Sequence, residues 1–169
     1  MQMYDFNILV VDDEAEFRNV YRLMLQYQGY EVTLAASGEG CLKLLENGKY
    51  DLVLTDLKMD GMDGIELLKK IKDGNYSCEV ILITAFSTVE NAVTAMKLGA
   101  FGYFIKGQSP EILLKEIDRL VKINELKSDN KAIKSSLMNF NFLLDTSSSK
   151  FKDVLRISER AAESNSNIL

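Results

Sequence analysis

Tyr50–Asp51–Leu52–Val53–Leu54–Thr55–Asp56–Leu57–Lys58–Met59–Asp60–Gly61–Met62–Asp63–Gly64 decides how the rest of this chain is read. The apolar run Leu52–Leu54 has the length and character of a short buried strand, and it stops at Asp56. Gly61 and Gly64 punctuate a loop before a helical spacing resumes at Ile65. A carboxylate at the C-terminal tip of a buried strand stands where open α/β sheets bind their ligands.

The same unit recurs on either side. Phe6–Val11 reads as a central strand ending in Asp12–Asp13–Glu14, followed by a helix with Phe17, Val20, Tyr21, Met24 and Leu25 inward and Gly29 at its close. Tyr30–Ala35 is a second strand, and Ser37–Gly40 opens a helix through Cys41, Leu42, Leu44 and Leu45. After the third strand, Ile65, Leu67, Leu68 and Ile71 mark a third helix. Val80–Ala85 is a fourth strand, and a helix capped by Ser87 runs to Gly99. Phe101–Lys106 is a fifth strand, with Pro110 in the first turn of a fifth helix. Strands alternating with helices predict right-handed crossovers into a doubly wound α/β domain, with a five-stranded parallel sheet covered on both faces. Asp12, Asp13, Asp56, Thr84 and Lys106 then share one rim, at the C-terminal strand ends.

Composition removes several classes of function. The 169 residues include no histidine, which excludes imidazole bases, Ser-His triads and histidine-ligated zinc. Two cysteines, Cys41 and Cys78, give no disulfide framework and make a reducing cytoplasm the default. No apolar run approaches the roughly 20 residues of a membrane span, and the start Met1–Asp5 has no signal-peptide character. Residues 1–108 carry 16 acidic and 10 basic side chains, and residues 109–169 carry 9 and 10. An acidic first part argues against direct contact with nucleic acid and allows a cation site.

Three carboxylates crowded at a sheet edge repel one another unless a cation compensates them. Mg2+ suits such a site, because it is hard, oxygen-seeking and commonly held by one or two carboxylates with waters and phosphate oxygens. Lys106 adds a fixed charge and Thr84 a hydroxyl donor, so metal, ammonium and hydroxyl can neutralise three phosphoryl oxygens in an in-line transfer. Asp56 is then the nucleophile that becomes an acyl phosphate, with Asp12 and Asp13 holding the metal.

Val10–Val11–Asp12–Asp13–Glu14, Asp56–Gly64, Ile83–Thr84–Ala85 and Gly99–Lys106 stand in an order that resembles the receiver domain of two-component response regulators, over about residues 5–125. The resemblance implies a flavodoxin-like layer order and a sensor histidine kinase as phosphoryl donor to Asp56. It also implies that the main-chain carbonyl of Lys58 joins the metal shell, and that Thr84 and Tyr103 form a conformational switch. Asp60 and Gly107 stand where family members commonly carry proline. With Gly107 in that place a cis bond after Lys106 is not expected, because non-proline cis bonds cost about 2.5–4 kcal/mol.

Each residue alone has a plainer reading. Asp12 and Asp13 can cap a helix, Asp56 can be a loop aspartate, Thr84 a β-branched strand residue, Lys106 a snorkelling surface lysine and Tyr103 a core aromatic. Their joint placement at strand ends favours the phosphoacceptor. Two other proteins of this layer order fit less well. A phosphatase with an aspartyl nucleophile wants a second acid where Lys58 stands, and a flavin-binding domain wants a phosphate-cradling loop where Asp12–Asp13–Glu14 stand. The reading is of a phosphoacceptor that assists its own phosphorylation and dephosphorylation, not of an enzyme.

Beyond the fifth helix face (Leu113, Ile117, Leu120, Val121) an apolar stripe continues. Ile123, Asn130, Leu137 and Leu144 fall on one seam position and Leu126, Ile133 and Phe140 on the other, a seven-residue repeat that predicts a dimerising helix. Asn130 in that seam favours a parallel pair. The alternatives are a helix folded back on its own domain and a disordered linker. After Asp145–Ser149, the residues Ser148, Phe151, Val154, Ile157, Arg160, Ala162, Ser164, Ile168 and Leu169 are similar to the opening of the ATPase domain in sigma-54-dependent activators of the nitrogen-regulator (NtrC) type. No G-x-x-x-x-G-K-[ST] loop is present, so no Walker-type nucleotide site is expected in the chain. The implied organisation is a receiver domain over 1–122, a dimerisation linker over 123–144 and the start of an ATPase domain over 145–169, as a piece of a longer protein. Sigma-54 RNA polymerase and DNA would be reached only through domains outside the chain, and a receiver joined to a different output is the alternative.

Overall fold

The computed structural model describes residues 5–85 and 88–145, with side chains described to residue 129. Strands and helices alternate: β1 (Asn7–Val11), α1 (Ala15–Tyr27), β2 (Glu31–Ala35), α2 (Gly38–Asn47), β3 (Leu52–Asp56), α3 (Gly64–Asp73), β4 (Glu79–Thr84), α4 (Val89–Lys97), β5 (Gly102–Ile105) and α5 (Pro110–Asp145). All pairings are parallel and the strand order is β2-β1-β3-β4-β5. The expected architecture is present, including the extended C-terminal helix.

The strands read as apolar runs because both faces of the sheet are covered. Every residue of β3 is buried, as are Ile8–Val11 and Val80–Thr84. Leu9, Val11, Val53, Val80 and Leu82 pack with Cys41 and Leu45 of α2, Leu67, Leu68 and Ile71 of α3, and Ala95 of α4. The alternate strand residues Ile8, Val10, Leu52, Leu54, Ile81 and Ile83 point to the other face, where Tyr21 and Leu25 of α1 and Leu113 and Ile117 of α5 are also buried. Each fully buried Leu or Ile contributes about 1.5–3 kcal/mol. Such a core outweighs the cost of confining a few charged groups at its edge.

Local signals explain most boundaries. Ser37 and Asp63 cap α2 and α3 by accepting from the N–H groups of Gly40 and Glu66. The cap of α4 is Thr88, one residue after the expected Ser87, and its hydroxyl accepts from Asn91 N–H. Val20, expected inward on α1, is 59% exposed. Pro110 opens α5 as expected. Tyr30 donates its hydroxyl to Asp118 Oδ1 at 2.9 Å, tying the start of β2 to α5.

The chain divides into two compact units between Asp118 and Arg119, inside α5. In the second, the helix continues to Asp145, with Leu120 and Val121 buried and Leu126 exposed. The side chains of Asn130, Ile133, Leu137, Phe140 and Leu144, and the whole segment after Asp145, lie outside the described residues. Among the described residues no helix is long and apolar enough to cross a membrane.

Candidate functional site

Strand register assembles the site. Val11 pairs with Thr55 and Asp56 with Ile83, so Asp12 and Asp56 emerge side by side where the strand order reverses between β1 and β3. Alternation along the strands sends both carboxylates toward the face that carries α1. One oxygen from each of Asp12, Asp13 and Asp56 lies within 4.8 Å of the others. Asp12 and Asp56 are buried, at 2% and 6% exposure, and Asp13 is exposed.

Every one of these carboxylates is tied down. Asp12 Oδ1 accepts from Glu14 N–H at 2.9 Å and Oδ2 accepts from Lys106 Nζ at 2.8 Å. Asp56 Oδ1 accepts from Leu57 N–H at 2.9 Å, and its Oδ2 lies 3.2 Å from Lys106 Nζ. Asp13 Oδ2 accepts from the main-chain N–H of Asp60 at 3.0 Å. The helix-cap alternative for Asp12 and Asp13 does not hold: the N-cap of α1 is Glu14, without a side-chain cap bond, and Asp12 makes a turn two residues back from it.

Electrostatics follow from this crowding. Burial pushes the Asp56 carboxyl above its ordinary value; Lys106 pulls it down, Asp12 pushes it up again, and the net displacement is upward. Burial pulls the Lys106 ammonium down, but its bonds and charge contacts with Asp12 and then Asp56 outweigh this, leaving it raised. Lys106 is thus a fixed cation, with a side chain only 7% exposed, shared by two carboxylates. An all-oxygen donor set with one buried excess negative charge is chemistry that a hard divalent cation fits.

The remaining expected residues sit as follows. Thr84 ends β4, is 1% exposed, and its carbonyl accepts from Lys106 N–H at 2.7 Å, which sets where the lysine leaves the sheet. Tyr103 on β5 pairs with Leu82 and packs against the core; its hydroxyl is buried without a hydrogen-bond partner among the described residues. Lys58 lies two residues beyond Asp56 with an exposed side chain, and the donor expected from it is the main-chain carbonyl. Gly107 has φ of +91°, a conformation proline cannot adopt, and no cis peptide bond occurs among the described residues.

Three features escaped sequence reasoning. The ring of Phe17 has Lys106 Nζ 3.9 Å from its centroid. Tyr21, one helical turn later, has its phenol pushed up to about 12 by burial and by the charges of Asp12 and Asp56. The Asp60 N–H on Asp13 is the third. The aromatic pair at i, i+4 read only as an inward stripe, and nothing local linked either residue to Lys106.

A twisted parallel sheet with a lysine-bridged acidic notch at its switch point defines a class, the phosphoacceptor-type receiver domains. The chain belongs to that family: the model of the response regulator receiver domain matches residues 8–118. It is 45% identical over 100 residues to the transcriptional regulatory protein ZraR of Salmonella typhimurium, covering 59% of this chain and 23% of that protein. It is 32% identical over 165 residues to an NtrX-like response regulator of Rickettsia bellii, covering 96% of this chain and 34% of that protein. Among solved structures, the response regulator TrrA of Thermotoga maritima in complex with Mg2+ and BeF superposes with a TM-score of 0.63 at 34% identity, over 68% of this chain and 98% of that one. The chain therefore spans only about a quarter to a third of the length of the curated relatives it matches.

Proposed function

We propose that Asp56 accepts a phosphoryl group from a sensor histidine kinase and that the acyl phosphate so formed controls a sigma-54-dependent transcriptional activator. The observation that carries this reading is the shared lysine: Lys106 Nζ lies 2.8 Å from Asp12 and 3.2 Å from Asp56, beside three converging carboxylates. Asp56 supplies the attacking oxygen; the new O–P bond forms as the P–N bond to the donor imidazole breaks, and the imidazole keeps the electron pair. Lys106 moves from the Asp56 oxygen to a phosphoryl oxygen, keeping Asp12 as its anchor. Thr84 donates its hydroxyl to another phosphoryl oxygen, and Tyr103 follows it as the switch. Magnesium, when bound by Asp12, Asp13, Asp56 and the Lys58 carbonyl, supplies positive charge to the phosphoryl oxygens and relieves repulsion among the carboxylates.

The chain acts in this reading as a regulatory phosphoacceptor that assists its own phosphorylation and dephosphorylation. Phosphorylation shifts a pre-existing equilibrium and repacks the surface of α4, β5 and α5, where Val89, Val93 and Met96 already stand exposed. Residues 1–122 are the receiver, 123–144 a linker that pairs two copies, and 145–169 the start of an ATPase domain. The similarity to the NtrX-like protein across almost the whole chain supports that organisation. Polymerase and promoter DNA are reached through that larger protein, in the cytoplasm.

Incubation with Mg2+ and a small acyl phosphate, followed by mass analysis, tests the site. A single phosphoryl adduct on the wild type and none on Asp56→Asn is expected; equal labelling of both removes the assignment. Sedimentation tests the linker: a dimer is expected at micromolar concentration, weakened in Leu126→Asp, and a monomeric wild type ends that part of the reading.

A further inference from the structure

We propose that Phe17 is the positioning residue of Lys106, holding its ammonium at the acidic notch through the face of the aromatic ring. The inference deepens the phosphoacceptor reading and rests on it. Lysine is a compact charge on a flexible four-carbon stem, so its placement must come from what surrounds it. Two contacts come from carboxylates, Asp12 Oδ2 at 2.8 Å and Asp56 Oδ2 at 3.2 Å. The third is the Phe17 ring, with Nζ 3.9 Å from its centroid.

The Lys106 N–H bond to the Thr84 carbonyl fixes where the side chain leaves the sheet, but the residue that follows does not aim it. Gly107 has no side chain and takes φ of +91°, and a Cβ built there would have nothing within 4 Å, so this turn offers open space beside the lysine. Phe17 is well placed to take over. It sits in the first turn of α1, and the entry to that helix is held by Asp12 itself: Oδ1 accepts from Glu14 N–H and the Asp12 carbonyl accepts from Arg18 Nη1. Ring and carboxylate are thus two ends of one braced loop closing on the same ammonium. Tyr21, one turn further along α1, is buried, and that burial first, then the charges of Asp12 and Asp56, push its phenol up.

The ring has a role that neither carboxylate can fill. Asp56 must release the ammonium when it becomes phosphorylated, and a lysine held by carboxylates alone would relax toward Asp12 or solvent. An uncharged π face attracts the cation without competing for a phosphoryl oxygen, and the attraction is strongest where water is excluded, as at this side chain. Leucine could fill the space at position 17 but has no negative face.

The test replaces Phe17 in the full chain with para-fluoro-, trifluoro- and pentafluorophenylalanine, which keep the ring shape and progressively remove its negative face. With Mg2+ and a small acyl phosphate, the rate of Asp56 labelling should fall stepwise, by about three- to thirtyfold across the series. In a Lys106→Met background the same series should be flat, because the ring then has no cation to hold. Independently of phosphorylation, the Lys106 ε-methylene protons should show an upfield ring-current shift that Phe17→Leu abolishes. A flat series in the presence of Lys106, or unshifted Lys106 protons, overturns the proposal. A wild type that takes no phosphoryl group overturns the functional reading instead, and the proton shift still decides the placement of the lysine.

Discussion

The main-chain N–H of Asp60 donates to Asp13 Oδ2 at 3.0 Å, joining the β1–α1 loop to the β3–α3 loop at the acidic notch. Asp13 is the exposed member of the three carboxylates, so this bond is what restrains its orientation. Groups that orient a metal ligand from behind typically matter about 10–100-fold in affinity. Asp60→Pro removes the N–H, whereas Asp60→Asn keeps it and removes only the charge. Mg2+ binding, followed by calorimetry, should weaken roughly tenfold more in the proline variant than in the asparagine variant. Equal affinities would show that the bond is incidental.

Asp56 makes stability depend on pH. Burial, reinforced by Asp12, raises its carboxyl above the ordinary 3.8 despite the opposing pull of Lys106. A carboxyl raised by folding holds its proton more tightly in the folded chain, so its favourable contribution is complete below the unfolded value and is lost as pH climbs through the folded one. Asp56→Asn makes the neutral state permanent. Thermal melting should find the variant more stable than wild type at neutral pH, by roughly 0.5–2 kcal/mol, with the gap closing as pH falls into the carboxylate range. A variant less stable at neutral pH would mean that the Lys106 contact outweighs the confinement of the charge.

Tyr103 carries a buried hydroxyl with no hydrogen-bond partner among the described residues. An unsatisfied buried polar atom costs about 1–3 kcal/mol. Tyr103→Phe should therefore be neutral or stabilising by up to about 1 kcal/mol in denaturant unfolding. If Tyr103 also belongs to the switch, the same variant takes a phosphoryl group at the normal rate but loses the change in oligomeric state that follows. Marked destabilisation would reveal a partner for the hydroxyl.

Gly64 opens α3 so close to β3 that a Cβ there would collide with the Asp56 carbonyl oxygen and meet Leu57 Cα and Leu82 Cδ2 at 3.0 Å each. Two of these neighbours are main chain and cannot swing away. Overpacking of this kind costs about 1–3 kcal/mol, and here it displaces the carbonyl of the proposed nucleophile. Gly64→Ala should lower stability by that amount and slow Asp56 labelling, whereas Gly40→Ala, whose Cβ would have its nearest neighbour at 3.5 Å, should cost far less. Similar losses in both variants would discount the close approach.

The strands were legible because strands buried on both faces are continuous apolar runs, and because β3 ends in Asp56 while Asp12 directly follows the last residue of β1. Helix faces were legible to within a neighbour: Leu25, Leu68 and Ile71 are buried as expected, but Val20 lies on the rim of its stripe and faces water. The α4 cap slipped by one residue because Ser87 and Thr88 carry the same capping chemistry and only the observed entry of the helix picks Thr88. Of the candidate site, the residue types and the strand ends that bear them could be read from local pattern alone.

By itself, then, the sequence determined the alternation of elements, the rim on which Asp12, Asp13, Asp56, Thr84 and Lys106 collect, and the absence of imidazole chemistry from the chain. The tertiary structure alone decided that Lys106, 94 residues from Asp12, closes on it at 2.8 Å, that Phe17 lies against the same ammonium, and that the Asp60 amide holds Asp13. Side-chain periodicity records which face a residue takes, because that depends on neighbours a few positions away. Which groups meet across the sheet depends on register and strand order, which are set by the packing of the whole core.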